Sequence, residues 1–282
     1  MKLGVNSFLW TAQFGPPFFG LLARVHEYGF DGFEIPIFDP SQLDARSIRN
    51  ELEANKLECT VCAILPPGLS AIDSAAQVRS NTKRHLARCV ESAAELGATL
   101  MSGPVYAPVG YLPGRRRSAD EWRWAVECFQ GLGPVLEANG ITLAIEPLNR
   151  FETFFLNTAA DAAALCDAIG HPRIGVLLDT FHANIEEKSV VEACRLLGPH
   201  LRHIHACEND RGIPGTGHVD FTGMVDVLRE TGYNGYLTIE SFGFNLPEIS
   251  AAAAIWRDLA PSADAIAAEG IAYLRKTLAG EL

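Results

Sequence analysis

The chain has 282 residues, 48% of them hydrophobic and 20% charged, enough apolar material to bury a sizeable core, which excludes global disorder. Its 23 Lys and Arg against 34 Asp and Glu leave a formal net charge of −11. That balance has the wrong sign for gripping nucleic acid or an anionic membrane, and leaves small molecules as the natural partners.

In chain order, the first strand candidate is 2–7, followed by 31–36 and 57–64. A helix is predicted over 74–96, with Gly97 as its stop, and a strand over 97–103. Residues 118–139 read as one helix, opened by a capping box at Ser118 and Glu121 and ended at Gly140. A strand at 141–146, a helix at 158–169 and a strand at 174–179 follow. The last elements are strands at 201–205 and 236–240 and helices at 220–231 and 262–279. Most of these strands are apolar over nearly their whole length, as expected when parallel strands are covered on both sides. Eight strands separated by helix-length segments predict an α/β fold, a single (β/α)8 TIM barrel over residues 1–282. A doubly wound sheet would call for a Gly-rich loop after the first strand, and Ser7-Phe8-Leu9-Trp10 is not one.

Seven scattered cysteines, an odd number, argue against a disulfide framework and for reduced thiols in the cytoplasm. Lys2 runs straight into Leu3-Gly4-Val5 without a signal-peptide pattern, and no apolar run approaches the roughly 18 residues of a membrane span. Cys59 and Cys62 spell C-x-x-C, but residues three apart on a strand point to opposite faces, which disfavours a shared metal or disulfide.

Chemistry in a barrel sits at the C-terminal strand ends. Four successive strands end in Glu146, Asp179, His205 and Glu240. One strand-end acid usually caps a helix or meets water; three carboxylates and an imidazole around one rim suit Mn²⁺, Mg²⁺, Co²⁺ or Zn²⁺. Glu152, His182 and Arg211 follow shortly after three of these residues, on loops that can turn back over the rim or stay solvated. His203, two before His205, shares its strand face one layer deeper and reads as a hydrogen-bonded support. Glu34 reads as a buried hydrogen-bonding residue, Trp10 as either pocket wall or core, Asp220 as a helix cap. Trp122 and Trp124 read as packing residues, and Arg115-Arg116-Arg117 as a solvated cluster or subunit contact rather than a phosphate clamp. The barrel interior beneath the rim is expected to be a floor of low polarity.

Ile145-Glu146-Pro147-Leu148-Asn149-Arg150, Leu178-Asp179-Thr180-Phe181-His182 and His203-Ile204-His205 resemble the ketose 3-epimerases of the xylose-isomerase-like barrels. Glu208-Asn209-Asp210-Arg211, Pro214-Gly215-Thr216-Gly217 and Ile239-Glu240-Ser241-Phe242 extend the resemblance, which covers essentially the whole chain. It implies Glu146, Asp179, His205 and Glu240 as ligands of a divalent metal, typically Mn²⁺, with Co²⁺ or Mg²⁺ as substitutes. It implies Glu152, His182 and Arg211 around the O1–O3 end of a ketose, with Phe242 in the same pocket, and a homodimer or homotetramer. Asn6 departs from it, standing where some members carry an aromatic, and Pro104-Val105-Tyr106 replaces a loop that does not align. The implied reaction removes the C3 proton next to a metal-polarised C2 carbonyl and returns one to the other face, with Glu146 and Glu240 as the proton-transfer pair. Competing readings are a hydroxypyruvate, inosose or aldose isomerase of the same superfamily, an apurinic-endonuclease-like nuclease, and a non-catalytic sugar-binding protein. The charge of −11 and the paucity of strand-end histidines oppose the nuclease.

Overall fold

The computed structural model describes residues 1–281 except 243–245, 247–249 and 252. Eight parallel strands close into a barrel in sequence order: β1 (Lys2–Asn6), β2 (Gly32–Ile37), β3 (Glu58–Ala63), β4 (Leu100–Gly103), β5 (Thr142–Ile145), β6 (Ile174–Asp179), β7 (Leu201–His205) and β8 (Tyr236–Ile239). β8 pairs with β1 to close the ring. Outside it lie α1 (Gly20–Tyr28), α2 (Ala45–Ala54), α3 (Ala76–Glu95), α4 (Ala119–Gln130), α5 (Gly133–Asn139) and α6 (Ala159–Ile169). They continue with α7 (Thr180–Glu186), α8 (Val190–Leu197), α9 (Phe221–Glu230) and α10 (Ala263–Ala279). Among the described residues no helix is long and apolar enough to cross a membrane.

The expected single helix over 118–139 is two. The Ser118–Glu121 capping box is present at its start, but the helix stops at Gln130 and restarts at Gly133. Pro134 lies in the first turn of α5; without an N–H and with a ring that clashes one turn back, it opens a helix and cannot continue one. Asp220 accepts from the Gly223 N–H and caps α9.

Alternation along the strands sorts the side chains. Val5, Phe33, Ile35, Val61, Leu143, Val176, Ile204 and Leu237 belong to the large core shared with the helices. Their neighbours face the barrel lumen, and many are polar. Asn6 pairs in register with Glu34 and Glu34 with Thr60, while Asp179 pairs with His205 and His205 with Thr238. Glu34 on β2 touches His203 and His205 on β7, strands that do not neighbour each other, so the contact crosses the lumen. The expected low-polarity floor is therefore a hydrogen-bonded one, with a small apolar layer of Leu100, Ala144 and Leu177 on β4, β5 and β6 beside it. Strands that read as apolar from sequence owe that to their outward residues.

Two glycines are required by close approach. A Cβ on Gly32 would stand 2.6 Å from the Tyr236 ring. Gly103, which ends β4 at φ +127°, would place a Cβ 2.2 Å from the Ala63 carbonyl oxygen, a backbone atom that cannot step aside. Gly103→Ala combines that clash with left-handed strain and is expected to lower unfolding stability by about 3 kcal/mol in urea denaturation. A variant as stable as the parent would contradict this account of the β4 terminus.

Candidate active site

Glu146 and Glu240 each follow the last residue of their strand, β5 and β8; Asp179 and His205 are the last residues of β6 and β7. All four are buried, and one donor atom from each lies within 4.8 Å of the others. Asp179 uses both of its oxygens. One oxygen caps α7 by accepting from the Phe181 N–H at 2.7 Å, and the other takes the Arg211 guanidinium at 2.8 Å. Arg211 also donates to Glu240 at 2.7 Å.

Crowding carboxylates in a buried place creates a demand for positive charge. Burial pushes the Glu146 carboxyl well above its usual range, and Glu240 and Asp179 push the same way against His205. Burial also works to raise Glu240, but the His205 imidazole and the Arg211 guanidinium outweigh it and hold that carboxyl at about 2. Burial opposes a charge on His205, and the Glu240 and Glu34 carboxylates overcome it, raising the imidazole well above its ordinary value. His182 goes the other way: burial brings it to about 3, so it is a neutral ring.

The donor set fits a divalent cation. The His205 Nε2–H donates to Glu34 at 2.7 Å. Its Nδ1 is buried without a hydrogen-bond partner, 3.4 Å from a Glu240 oxygen. A nitrogen with no hydrogen-bond partner beside three carboxylates is a ligand set of hard oxygen and borderline nitrogen. Glu34, His203 and His205 also meet metal-site spacing, but N···O separations of 2.7 and 2.8 Å identify hydrogen bonds there.

Above the cluster opens a cavity of about 330 Å³, at the small end of ligand clefts. Glu146 and Glu240 line it, whereas Asp179 and His205 are buried behind them. Glu152, His182, Arg211 and Phe242 line it as well, beside the four residues of the rim cluster. Arg211 is held tightly. Its backbone is left-handed (φ +66°), its N–H bonds the Glu208 carbonyl, and its guanidinium lies 4.2 Å from the Phe181 ring centroid and 4.9 Å from that of Phe242. The buried Glu208 carboxylate accepts the backbone N–H groups of Asn209, Gly215 and Val219, which folds the loop carrying Arg211.

Sequence reasoning missed several participants. Phe8 and Phe38 form an apolar wall with Phe242, and Cys62 reaches the cavity as a thiol kept neutral by burial. Asn149 anchors two cavity residues at once: its Nδ2 donates to Glu152 at 2.8 Å and lies 2.9 Å from His182 Nδ1, which also accepts the Asn149 N–H at 3.2 Å. The other ring nitrogen, Nε2, lies 3.3 Å from the Arg211 guanidinium and 3.6 to 3.7 Å from Asp179 and Glu146. The bare signal for Asn149 was its place three residues after Glu146 in a quoted motif.

Other nominated residues have settled roles. Trp10 is packing, stacked on Phe33 and donating to Asp264 at 2.8 Å, not cavity wall. Arg115 pairs with Glu121 and Arg117 with Asp161, each through two hydrogen bonds, so these two are tied within the chain. Trp122 packs on Phe155 and Trp124 under Arg79. All seven cysteines are buried and unbridged. Of the loop that did not align, Pro104 lines the cavity while Val105 and Tyr106 are core. Asn6, Glu34 and His203 form the buried network beneath His205.

Residues 22–277 match the xylose isomerase-like TIM barrel family. The chain is 36% identical over 277 residues to a probable ketose 3-epimerase of Synechocystis sp., covering 98% of this chain and 96% of the relative. It is 34% identical over 263 residues to a D-psicose 3-epimerase of Agrobacterium fabrum, covering 90% and 88%. Among solved structures, a D-allulose 3-epimerase from Methylomonas sp. in complex with D-allulose superposes with a TM-score of 0.93 at 26% identity, covering 98% of this chain and 97% of that one. With the barrel, the rim cluster and these relatives together, the chain belongs to the xylose isomerase-like TIM barrel family and, within it, to the ketose 3-epimerases.

Proposed function

We propose that this protein is a metal-dependent ketose 3-epimerase that interconverts C3 epimers of free ketoses, such as D-tagatose and D-sorbose, D-fructose and D-allulose, or L-ribulose and L-xylulose. The observation that carries the reading is the division of the cluster: Glu146 and Glu240 reach the cavity, and Asp179 and His205 stand behind them. Two carboxylates that face a substrate while sharing an ion site are what a two-base epimerisation needs. The names of the relatives, ketose, D-psicose and L-ribulose 3-epimerase, support the same chemistry.

Glu146, Asp179, His205 and Glu240 would hold the cation, for which Mn²⁺ is the proposed identity and Co²⁺ or Mg²⁺ the substitutes. When bound, such an ion supplies Lewis-acid polarisation of the ketone carbonyl. The residues do the rest. One of the two glutamates takes the C3 proton, and the C3–H electron pair shifts toward the C2 carbonyl oxygen. The other glutamate delivers a proton to the opposite face of C3, and the pair moves back to form the new C–H bond. The roles exchange in the reverse direction. Glu152, His182 and Arg211 would bind the hydroxyl-rich O1–O3 end, and Phe242 with Phe8 and Phe38 would cover the remainder.

The proposal extends to residues 1–282 acting as one domain, to a cytoplasmic setting, which the unbridged cysteines support, and to a homodimer or homotetramer, which sedimentation reads directly. Activity on D-fructose, D-tagatose and L-ribulose should fall to background after chelation and return when Mn²⁺ is restored. Turnover of aldoses or keto acids instead of these ketoses would sink the reading in favour of another isomerase of the superfamily. Glu146→Gln and Glu240→Gln should each lower kcat by about 10³-fold or more while circular dichroism is unchanged, since each removes a proton-transfer group. Retained turnover in both variants would refute the two-base scheme.

A further inference from the structure

The buried network under the rim has an arrangement that the proposed reaction does not itself require. Glu34 sits at 0% exposure in the barrel lumen and accepts four hydrogen bonds, two on each oxygen. Oε1 takes the Asn6 amide at 2.9 Å and His205 Nε2 at 2.7 Å. Oε2 takes the Thr60 hydroxyl at 2.9 Å and His203 Nε2 at 2.8 Å. The donors come from β1, β3 and β7, so one carboxylate ties together three strands besides its own. Asn6 is itself fixed, because its carbonyl oxygen accepts the Phe8 N–H at 2.9 Å.

We propose that Glu34 is the positioning residue of the cation site, fixing the His205 ring with its proton on Nε2 so that the Nδ1 lone pair is the one offered to the cation. The inference rests on His205 being a ligand, as proposed above. The geometry supports it on both sides of the ring: Nε2 is bound to Glu34, and Nδ1 is buried with no hydrogen-bond partner beside Glu240. A histidine ligand whose distal N–H is held by a carboxylate is both oriented and made a better electron donor. His203 acts as the counterweight. By occupying the other oxygen, it keeps the Glu34 carboxylate plane turned toward His205, and the two imidazoles meet edge-on with centroids 5.2 Å apart. Glutamine at this position cannot replace the acid, because its amide nitrogen would have to face either the Asn6–His205 pair or the Thr60–His203 pair of donors.

The test is Mn²⁺ titration by calorimetry of the chelator-treated wild type and Glu34→Gln. The variant should bind Mn²⁺ 10- to 100-fold more weakly. A purely structural role would instead lower thermal stability without changing affinity. A variant that binds Mn²⁺ as tightly as a metal-binding wild type overturns the assignment of Glu34 alone. A wild type that takes up no cation overturns the ligand role of His205, and this inference with it. If Glu34→Gln does not fold, the Zn²⁺-loaded wild type decides by ¹⁵N–¹H correlation of its imidazoles. A His205 proton on Nε2 with Nδ1 on the ion supports the assignment, and a proton on Nδ1 overturns it.

Discussion

Three carboxylates cannot share one buried rim without positive charge between them, and most of the site is arranged around that constraint. Glu146, Asp179 and Glu240 approach within a few ångströms, with the cluster's donor atoms all inside 4.8 Å. Arg211 bridges two of them, His205 is drawn toward its charged form, and Glu146 toward its neutral one. Each response supplies or spares one unit of charge, and a divalent cation would satisfy the same demand at a single point. The constraint also explains the depth of the supporting structure. The left-handed Arg211 backbone, its two flanking rings and the Glu208 carboxylate that folds its loop all serve to place one guanidinium.

The closed parallel barrel makes the crowding possible. Because every strand points the same way, β5 to β8 present their terminal residues on one face, and register puts Asp179 beside His205. Alternation then separates two tasks. Outward residues such as Val176 and Ile204 bind the helices to the barrel, while inward ones such as Glu34 and His203 build a polar support below the rim. The apolar layer of Leu100, Ala144 and Leu177 borders that network, with Leu177 in register with His203. An ionised carboxylate in such a place is stable only because all four of its hydrogen bonds are made inside the protein.

How much of this was legible in the sequence follows from whether the determining contacts are local. The eight strands were readable because a covered parallel strand is a short apolar run, and Glu146, Asp179, His205 and Glu240 stood out because each ends such a run. Glu152, His182 and Arg211 stood out because they follow shortly after three of those strand ends, and the structure brings them to the cavity. The break after Gln130 was encoded in Pro134 but masked by a pattern that ran on to Gly140. The polar floor was misread because Asn6, Glu34, Thr60 and His203 lie on four strands, and nothing in their spacing says that they meet across the lumen. Phe8, Phe38 and Cys62 were opaque for the same reason, since a residue's place in a cavity wall depends on which loops fold over it.

The central claim is that chemistry occurs at C3 of a free ketose between two carboxylates on opposite faces. Incubating the Mn²⁺-supplemented protein with D-fructose in D₂O and locating the label by NMR tests it most directly. The account predicts deuterium at C3 of the epimeric product, with C1 unlabelled. Deuterium at C1, or a C3 epimer formed without solvent label at C3 however long the reaction runs, would contradict it.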